Sequence, residues 1–217
     1  MSFIVKNTTI INPFDLIAPH SCRGCGRLGE PLCNCCKNDI LKLHSTFHKD
    51  FSVENLPPLY TLGPREGLLS ALIYDYKYNS NRALGKTFAE LLDTILPPSE
   101  GKTFIVPLPT AHHHIRARAL DHTLKIAKHL AKKRHLEVAS VLVRAKDTVQ
   151  VGADRATRLQ QAGEAYALNQ KISIDPTATY ILLDDVWTTG TSLLSATKKL
   201  REAGALKIDI AVLAISS

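Results

Sequence analysis

Apolar and polar residues follow two different periods along the chain, and the change from one period to the other predicts alternating strands and helices. Four short runs are almost entirely apolar or β-branched, which is typical of strands that a parallel sheet buries on both faces. These runs are TFIVPL from residue 103, VASVLV from residue 138, TYILLD from residue 179 and LKIDIAVLAIS from residue 206.

Helical spacing of apolar residues occupies the segments between these runs. In RALGKTFAELLDTIL the apolar positions are Leu84, Phe88, Leu91 and Ile95, and two prolines follow the segment and end it. The segment TSLLSATKKLREAG, between the last two apolar runs, predicts a second helix with Gly204 at its C-terminal end.

The β-α-β order predicts an α/β fold, with an open, mostly parallel sheet flanked by helices and a small N-terminal module. The chain has 217 residues and is 45% hydrophobic, which suits one domain of ordinary size plus such a module. We expect the module and its linker to span residues 1–58 and the larger domain residues 59–217. Open α/β sheets bind their ligands beyond the carboxyl ends of the strands, so candidate site residues are sought there.

The small module contains all five cysteines of the chain. Cys22 and Cys25 form one C-x-x-C motif, and Cys33 and Cys36 form a second. Two such motifs a few residues apart are typical of a structural zinc ion held by four thiolates. A bound metal would supply folding energy to a segment too small to form a core alone.

The sequence leaves alternatives open for the fourth zinc ligand. Cys35 is the remaining cysteine and is an alternative to Cys36, and His44 or His48 is another. Disulfides or free thiols are the competing interpretation of the whole cluster. The odd number of cysteines and the lack of an export leader weigh against disulfides.

Two adjacent carboxylates, Asp184 and Asp185, follow the apolar residues YILL, and the small residues of TTGTS (188–192) come directly after them. Carboxylates at a strand end can accept hydrogen bonds from the vicinal hydroxyls of a ribose. Backbone N–H groups at the start of the following helix can hold a phosphate. The alternative is an ordinary helix capped by Thr or Ser, which would not explain the two acids. The G-x-x-x-x-G-K-[ST] pattern of a Walker A loop is absent.

Charge is distributed unevenly and predicts an anionic partner. The net charge is +7, and residues 111–135 carry seven Lys or Arg and six of the nine histidines against one acid, Asp121. We expect a helix from about Thr110 to Arg134 with a basic stripe that tracks the phosphates of single-stranded DNA. The stripe comprises Arg118, Lys125, Lys128, Lys132, Lys133 and Arg134.

Several other residues extend this hypothesis, and an ordinary solvated helix face remains its alternative. Possible extensions of the stripe are Arg144, Lys146, Arg155 and Arg158, and Tyr76 or Tyr78 are possible surfaces for base stacking. The run from His112 to His114 is expected to be a surface loop rather than a metal site. The chain has no apolar run long enough for a transmembrane segment and no recognisable leader, so a cytoplasmic location is expected.

The segment ILLDDVWTTGTSL resembles the motif with which type I phosphoribosyltransferases bind 5-phosphoribosyl-1-pyrophosphate (PRPP). Together with the two C-x-x-C motifs and the segments LIYDYKYNSNRALGKTFAELL and IVPLPTAHHHIRARALDHT, it makes the whole chain resemble the ComF family. These proteins are associated with natural competence, the uptake of DNA into the cytoplasm as a single strand.

The resemblance implies a set of roles for individual residues. Asp184 and Asp185 would bind the ribose hydroxyls of PRPP, and Thr188, Thr189, Gly190, Thr191 and Ser192 would bind its 5′-phosphate. Residues 107–110 would form the pyrophosphate loop, Lys77 would contact phosphate, and Mg²⁺ would accompany the pyrophosphate.

At the level of the whole protein, the resemblance implies a cytoplasmic PRPP-binding protein of natural transformation that handles incoming single-stranded DNA. Other competence proteins would be its partners. Two alternatives stay open, an active phosphoribosyltransferase of nucleobase salvage and a regulatory protein that senses PRPP, because a retained PRPP motif does not establish transferase activity.

Overall fold

A computed structural model describes residues 20–46, 55–79, 81–110, 121–144 and 166–216. These residues form five helices and seven strands. In chain order the elements are α1 (Asn34–Thr46), β1 (Leu59–Thr61), α2 (Gly67–Tyr78), α3 (Leu84–Ile95), β2 (Thr103–Pro107), α4 (His122–Arg134), β3 (Glu137–Val138), β4 (Leu142–Arg144), β5 (Tyr166–Leu168), β6 (Thr179–Trp187), α5 (Thr191–Glu202) and β7 (Lys207–Ile215).

Five of the strands form one parallel sheet in the order β1-β7-β6-β2-β3. The central strands β6 and β7 are the longest, with nine residues each. They contain the apolar runs that predict buried strands, and the expected α/β class is therefore confirmed.

Alternate residues of β6 face two separate cores, which explains why the strand is apolar on both sides. Ile181 and Leu183 belong to the core covered by α1 to α4. Tyr180 and Leu182 belong to the core covered by α5 and by the β4–β5 pair. Neither face of the strand meets solvent between Tyr180 and Leu183, so the sequence carries no polar alternation there.

The run VASVLV does not form one strand of the parallel sheet, which corrects the expectation from the sequence. Its first residue, Val138, ends the short edge strand β3, which pairs with β2. Leu142 and Val143 belong instead to β4, which pairs antiparallel with β5. Val141 and Leu142 are buried in the α5-side core, so the run is apolar because it crosses from the sheet edge to that core.

Helix α4 begins at His122, later than the predicted start at Thr110. Asp121 adopts an extended conformation, and its side chain accepts a hydrogen bond from the backbone N–H of Leu124 at 3.0 Å. This is an N-cap, and it marks the first turn of the helix. Residues 111–120, including Arg118 and the three histidines, lie outside the described part of the chain.

The cysteine-containing segment packs directly against the larger domain. Leu32 and Ile40 are fully buried in the same core as the side chains of α2 and α3. Lys37 Nζ lies 2.8 Å from Glu90 Oε2 on α3, and Arg23 Nε lies 2.7 Å from Asp75 Oδ2 on α2. The module therefore shares its core with the domain that follows it.

Arg134, at the end of α4, holds the C-terminal end of α3. Its guanidinium donates hydrogen bonds to Asp93 Oδ1 and to three carbonyl oxygens, those of Asp93, Leu96 and Pro97, at 2.7 to 2.9 Å. The side chain is only 10% exposed. Asp93 belongs to the last turn of α3, whose C=O groups have no partner within the helix, and Leu96 and Pro97 follow that turn. Arg134 is therefore an internal anchor between two helices.

Replacing Arg134 by Ala should lower the free energy of unfolding by about 2 kcal/mol or more, because it removes several hydrogen bonds from a charged donor that is itself largely buried. Lys128, which is exposed on the same helix, provides the matched control, and Lys128→Ala should change stability by less than about 0.5 kcal/mol. Urea unfolding followed by circular dichroism measures both. Equal stabilities for the two variants would contradict this role of Arg134.

Candidate functional site

The two adjacent carboxylates lie inside strand β6, three and two residues before its last residue, Trp187. Only one neighbouring strand still pairs with β6 at these positions. Strand β2 ends at Pro107, opposite Leu183, whereas β7 stays paired with β6 as far as Trp187. The sequence predicts both acids at the carboxyl end of the strand, and the structure shows that the strand continues past them to Trp187. Asp184 and Asp185 instead occupy the step that the short strand β2 leaves in the sheet.

Asp185 forms an ion pair with a lysine of helix α2. Lys77 Nζ, in the last turn of α2, lies 2.5 Å from Asp185 Oδ2, and the two side chains are 14% and 18% exposed. Sequence reasoning found no base near the acids because this partner comes from a distant part of the chain. Lys77, expected to contact phosphate, is thus placed in the site but is engaged by a carboxylate in this structure.

Asp184 is more deeply placed than Asp185. Its Oδ1 accepts a hydrogen bond from the backbone N–H of Asp185 at 2.8 Å. Burial first, and then the neighbouring charge of Asp185, raise the pKa of Asp184 to about 7, although Lys77 acts in the opposite direction. The side chain therefore changes its charge near neutral pH, which is a feature common at functional sites.

The turn from β6 into α5 depends on Gly190. Its φ is +74°, and a Cβ there would lie 2.1 Å from the ring of Trp187. Trp187 is itself buried and packs across the glycine. Both the left-handed backbone and this close contact exclude any other residue without rearrangement.

Hydroxyl side chains surround the start of α5 without capping it. The N-cap residue is Gly190, and among the described residues no side chain accepts a hydrogen bond from the first turn as a cap. The hydroxyls of Thr189 and Thr191 are 2.9 Å apart and bond to each other. Thr188, Thr189 and Ser192 are exposed. Ordinary capping, the alternative interpretation of these hydroxyls, therefore does not account for them.

A cavity of about 220 Å³ lies where these elements meet. Its wall joins the ends of β2 and β6 to the first residues of α4 and α5. It is lined by Lys77, Leu108, Pro109, Thr110, His122, Thr123, Arg144, Tyr166, Asp184, Asp185 and Ser192. Of the residues singled out in the sequence, Lys77, both acids, Ser192 and most of the 107–110 loop thus come together, while residues 188–191 follow in the adjoining turn.

Two further residues of the cavity were not assigned to it from the sequence. Arg144 had been grouped with the basic stripe, and Tyr166 had no assigned role, yet they lie opposite each other in the β4–β5 pair. The guanidinium of Arg144 is 6.0 Å from the centre of the Tyr166 ring. Burial and then the charge of Asp184 raise the pKa of Tyr166, and a hydrogen bond with Ser192 acts against this rise. No local pattern signals this pair, because its placement depends on the antiparallel pairing.

The cysteine cluster has the geometry of a metal site. The sulfur atoms of Cys22, Cys25, Cys33 and Cys36 all lie within 4.8 Å of one another. Cys33 Sγ is 3.6 Å from both Cys22 Sγ and Cys25 Sγ. Zinc–sulfur bonds of about 2.3 Å in a tetrahedron place the sulfurs about 3.8 Å apart. The four cysteines can therefore hold a metal ion of the size and geometry of zinc.

The positions of the alternative residues support Cys36 as the fourth zinc ligand. Cys35 is exposed and lies outside the cluster. His44 Nδ1 lies 2.6 Å from the carbonyl oxygen of Thr61, in hydrogen-bond contact. His48 lies outside the described residues.

The ionisation of the cysteines also fits a cation at their centre. Burial and hydrogen bonds with the surrounding cysteines raise the pKa of the Cys36 thiol. Burial also opposes ionisation of Cys22, but hydrogen bonds from the backbone N–H groups of Cys33, Cys25 and Gly24 outweigh it and lower its pKa to about 6. Converging thiols of this kind lose their remaining protons readily only when a metal ion balances the charge.

The basic residues of α4 do not form a single surface. Lys128, Lys132 and Lys133 are exposed and Lys125 is half-buried, whereas Arg134 is the helix anchor described above. Lys132 and Lys133 also line a groove of about 530 Å³ between α3 and α4, together with Lys86, Ala89, Glu90 and His129.

Of the two aromatic residues suggested for base stacking, one is buried and the other is exposed. Tyr76 is 1% exposed and packs edge-on against Phe88 and His122, so the expectation that it stacks on a base is wrong. Tyr78 is exposed, and its ring centre lies 5.0 Å from that of Tyr74.

The described helices include none with both the length and the apolar character that a membrane crossing requires.

Comparison with known proteins gives a likeness in fold and none in sequence family. No protein-family model matches the chain, and no curated protein matches it. Among solved structures, the glutamine PRPP amidotransferase of B. subtilis, in complex with ADP and GMP, is similar at 15% identity and a TM-score of 0.45 over 64% of this chain. The adenine phosphoribosyltransferase of Trypanosoma brucei, in complex with AMP, pyrophosphate and ribose-5-phosphate, is similar at 12% identity and a TM-score of 0.45 over 76% of this chain.

The extent of the likeness differs between these structures. The chain spans 30% of the length of the amidotransferase and 86% of that of the adenine phosphoribosyltransferase. A hypoxanthine phosphoribosyltransferase from Staphylococcus aureus matches 65% of this chain at 13% identity and a TM-score of 0.32.

Protein purified without added metal should contain one zinc ion per chain, because four thiolates at these distances satisfy its tetrahedral preference. Cys33→Ser should abolish zinc binding, since Cys33 is in contact with two other ligands. Cys35→Ser is the matched control and should retain zinc. Elemental analysis and thiol titration measure both. Disulfides among the four cysteines in a zinc-free chain, or zinc loss from Cys35→Ser, would overturn the assignment.

Proposed function

We propose that the chain binds PRPP in the cavity between β2, β6 and α5. The observation that carries this proposal is that both carboxylates, Lys77 and the hydroxyl of Ser192 line one cavity at the carboxyl end of a parallel sheet. In open α/β sheets this is the end at which ligands bind. The cavity combines acceptors suited to a ribose diol with a helix start suited to a phosphate.

Each part of PRPP has a chemically matched group in this arrangement. Asp184 and Asp185 accept hydrogen bonds from the 2′- and 3′-hydroxyls of the ribose. The first turn of α5, with its exposed hydroxyls, receives the 5′-phosphate at the positive end of the helix dipole. The loop Leu108–Thr110 leaves the opposite strand and faces the pyrophosphate. Mg²⁺ fits the oxygen-rich site and would neutralise pyrophosphate charge there when bound, with Asp184 and Asp185 as its candidate protein partners.

The Lys77–Asp185 ion pair prepares the site for such a ligand. Lys77 holds the carboxylate of Asp185 in one orientation through their ion pair, in which both side chains are largely shielded from water. An ammonium group has three donors, so Lys77 can contact Asp185 and a ligand phosphate at the same time. The carboxylate then remains an acceptor for the sugar.

At the level of biology, we propose a ComF-like role, in which a cytoplasmic protein of natural transformation binds PRPP and handles incoming single-stranded DNA. The support is the resemblance of the sequence motifs and the exposed lysines of α4. An active phosphoribosyltransferase of nucleobase salvage is the second candidate, favoured by the arrangement of the PRPP cavity itself. Release of pyrophosphate in the presence of one nucleobase would select the enzyme over the DNA-handling protein. A PRPP-sensing regulator would bind PRPP with neither turnover nor DNA affinity.

Replacing Asp184 and Asp185 together by Asn should weaken PRPP binding at least tenfold, because hydrogen bonds to a charged acceptor contribute about 1.5 to 3 kcal/mol each. Asp209→Asn provides the control, since Asp209 is a half-buried carboxylate near the opposite end of β7. Fluorescence of Trp187, the only tryptophan, measures binding, because its ring lies against the turn before α5. Unchanged affinity in the double variant would refute the proposed site.

The same titration should depend on pH. Asp184 has a pKa of about 7 without ligand, and only its carboxylate form accepts hydrogen bonds from both sugar hydroxyls. PRPP affinity should therefore fall as the pH drops below 7, by up to about tenfold per pH unit. In the Asp184→Asn variant, the pH dependence of PRPP affinity should be weaker and should reflect only the protonation of the ligand phosphates. An identical pH profile for both proteins would contradict this role of Asp184.

Binding of single-stranded DNA is tested separately through its salt dependence. Replacing Lys125, Lys128 and Lys132 together by Ala should flatten the slope of log affinity against log salt by about 2, since each phosphate contact on a single strand contributes about 0.7. The control replaces Lys42, Lys171 and Lys198, which are exposed elsewhere, and removes the same charge. Anisotropy titrations at several salt concentrations measure both. Equal slopes in the two variants would reduce the α4 lysines to a solvated face.

A further inference from the structure

The antiparallel pair β4–β5 forms one wall of the cavity and belongs to none of the motifs that the resemblance assigns to PRPP. Arg144 is the last residue of β4, and Tyr166 is the first residue of β5. They are direct partners in the pairing register, and both line the cavity with Ser192 and Asp184. An arginine and a tyrosine are thus delivered together to the side of the cavity where α5 begins.

Tyr166 connects this wall to α5. The side chain is only 5% exposed and belongs to the core that contains Trp187 and Leu193. Ser192, the second residue of α5, lines the same cavity, and its side chain acts on the Tyr166 hydroxyl against the rise in the pKa of Tyr166. Because a packed ring has little rotational freedom, its hydroxyl holds Ser192 in one orientation at the helix start.

Arg144 adds a positive charge at the same place. Lys77 and Arg144 are the only Lys or Arg side chains among the described residues that line the cavity. Lys77 Nζ lies 2.5 Å from Asp185 Oδ2, and the guanidinium of Arg144 lies 6.0 Å from the centre of the Tyr166 ring. A guanidinium has five N–H donors, so it can make other contacts and still bind a phosphate with two parallel hydrogen bonds.

We propose that Arg144 binds the 5′-phosphate of the ligand, opposite the first turn of α5, and that Tyr166 positions Ser192 for the same phosphate. This inference rests on the proposed PRPP site and assigns to it a second phosphate-binding cation. The location follows from the geometry, since Arg144 is the strand partner of Tyr166 and both residues line the cavity with Ser192. The loop Leu108–Thr110, where the pyrophosphate is proposed to bind, leaves the neighbouring strand β2.

Calorimetric titrations of Arg144→Gln, Arg144→Lys and Tyr166→Phe with PRPP, ribose 5-phosphate and pyrophosphate, each with Mg²⁺, test the proposal. Arg144→Gln should weaken ribose 5-phosphate and PRPP at least about tenfold and leave pyrophosphate unchanged, since it removes charged hydrogen bonds to one phosphate only. Arg144→Lys should lose less affinity, because it keeps the charge but not the two-pronged geometry. Tyr166→Phe should weaken the same two ligands by a smaller factor.

Arg201→Gln is the matched control, because Arg201 donates to the carbonyl oxygen of Asn55, far from the cavity lining, and all three affinities should stay at the wild-type value. Thermal melting of each variant shows that it is folded, and Arg144→Lys serves as the test if Arg144→Gln is not. Wild-type affinity of both Arg144 variants for ribose 5-phosphate would overturn the inference and leave the PRPP proposal standing. Loss of pyrophosphate binding alone would also overturn it, by placing Arg144 at the other end of the ligand. A wild-type chain that binds none of the three ligands would overturn both proposals.

Discussion

The unequal length of two neighbouring strands is the constraint on which the rest of the site depends. Strand β6 runs to Trp187 along β7, while β2 stops at Pro107, opposite Leu183. The backbone of β6 is thus held on one side and open on the other at Asp184 and Asp185. Carboxylates can occupy a central strand there because the missing neighbour leaves space for a ligand and for Lys77. With β2 longer, the cavity would be filled by another strand.

Helix α2 connects this cavity to the cysteine cluster. Near its C-terminal end it presents Lys77 to Asp185 and, two residues earlier, Asp75 to Arg23 of the first C-x-x-C motif. Asp75 also accepts a hydrogen bond from Asn79, which follows the helix. Partly exposed ion pairs contribute little to stability by themselves. Their effect here is positional, because one short helix segment is held by the cysteine module on one side and by the proposed site on the other.

The proposed site is electrostatically costly, and the surrounding structure compensates for it only in part. Burial and the proximity of Asp185 raise the pKa of Asp184 to about 7, so the folded chain gives up stability whenever this group is ionised. A carboxyl group whose pKa is higher in the folded than in the unfolded chain lowers the free energy of unfolding at pH values above the unfolded-state pKa. For Asp184 alone, this loss of stability disappears as the pH falls from about 7 towards about 4. A ligand or cation that favours the carboxylate recovers that free energy on binding. Functional sites commonly retain such unfavourable interactions.

The sequence by itself determined which segments would be buried and where chemically unusual residues occur. The apolar runs around Ile105, Ile181 and Ile210 predicted parallel strands, and the spacing of C-x-x-C motifs predicted a cluster of four sulfurs. These features are local, since periodicity and short spacing depend on neighbours in the chain. Only the tertiary structure decided that VASVLV divides between two sheets, that Arg134 anchors α3, and that Arg144 enters the same cavity as Lys77. Each of these outcomes depends on contacts between segments far apart in the chain, and an apolar or basic residue has the same local pattern whichever distant element it meets.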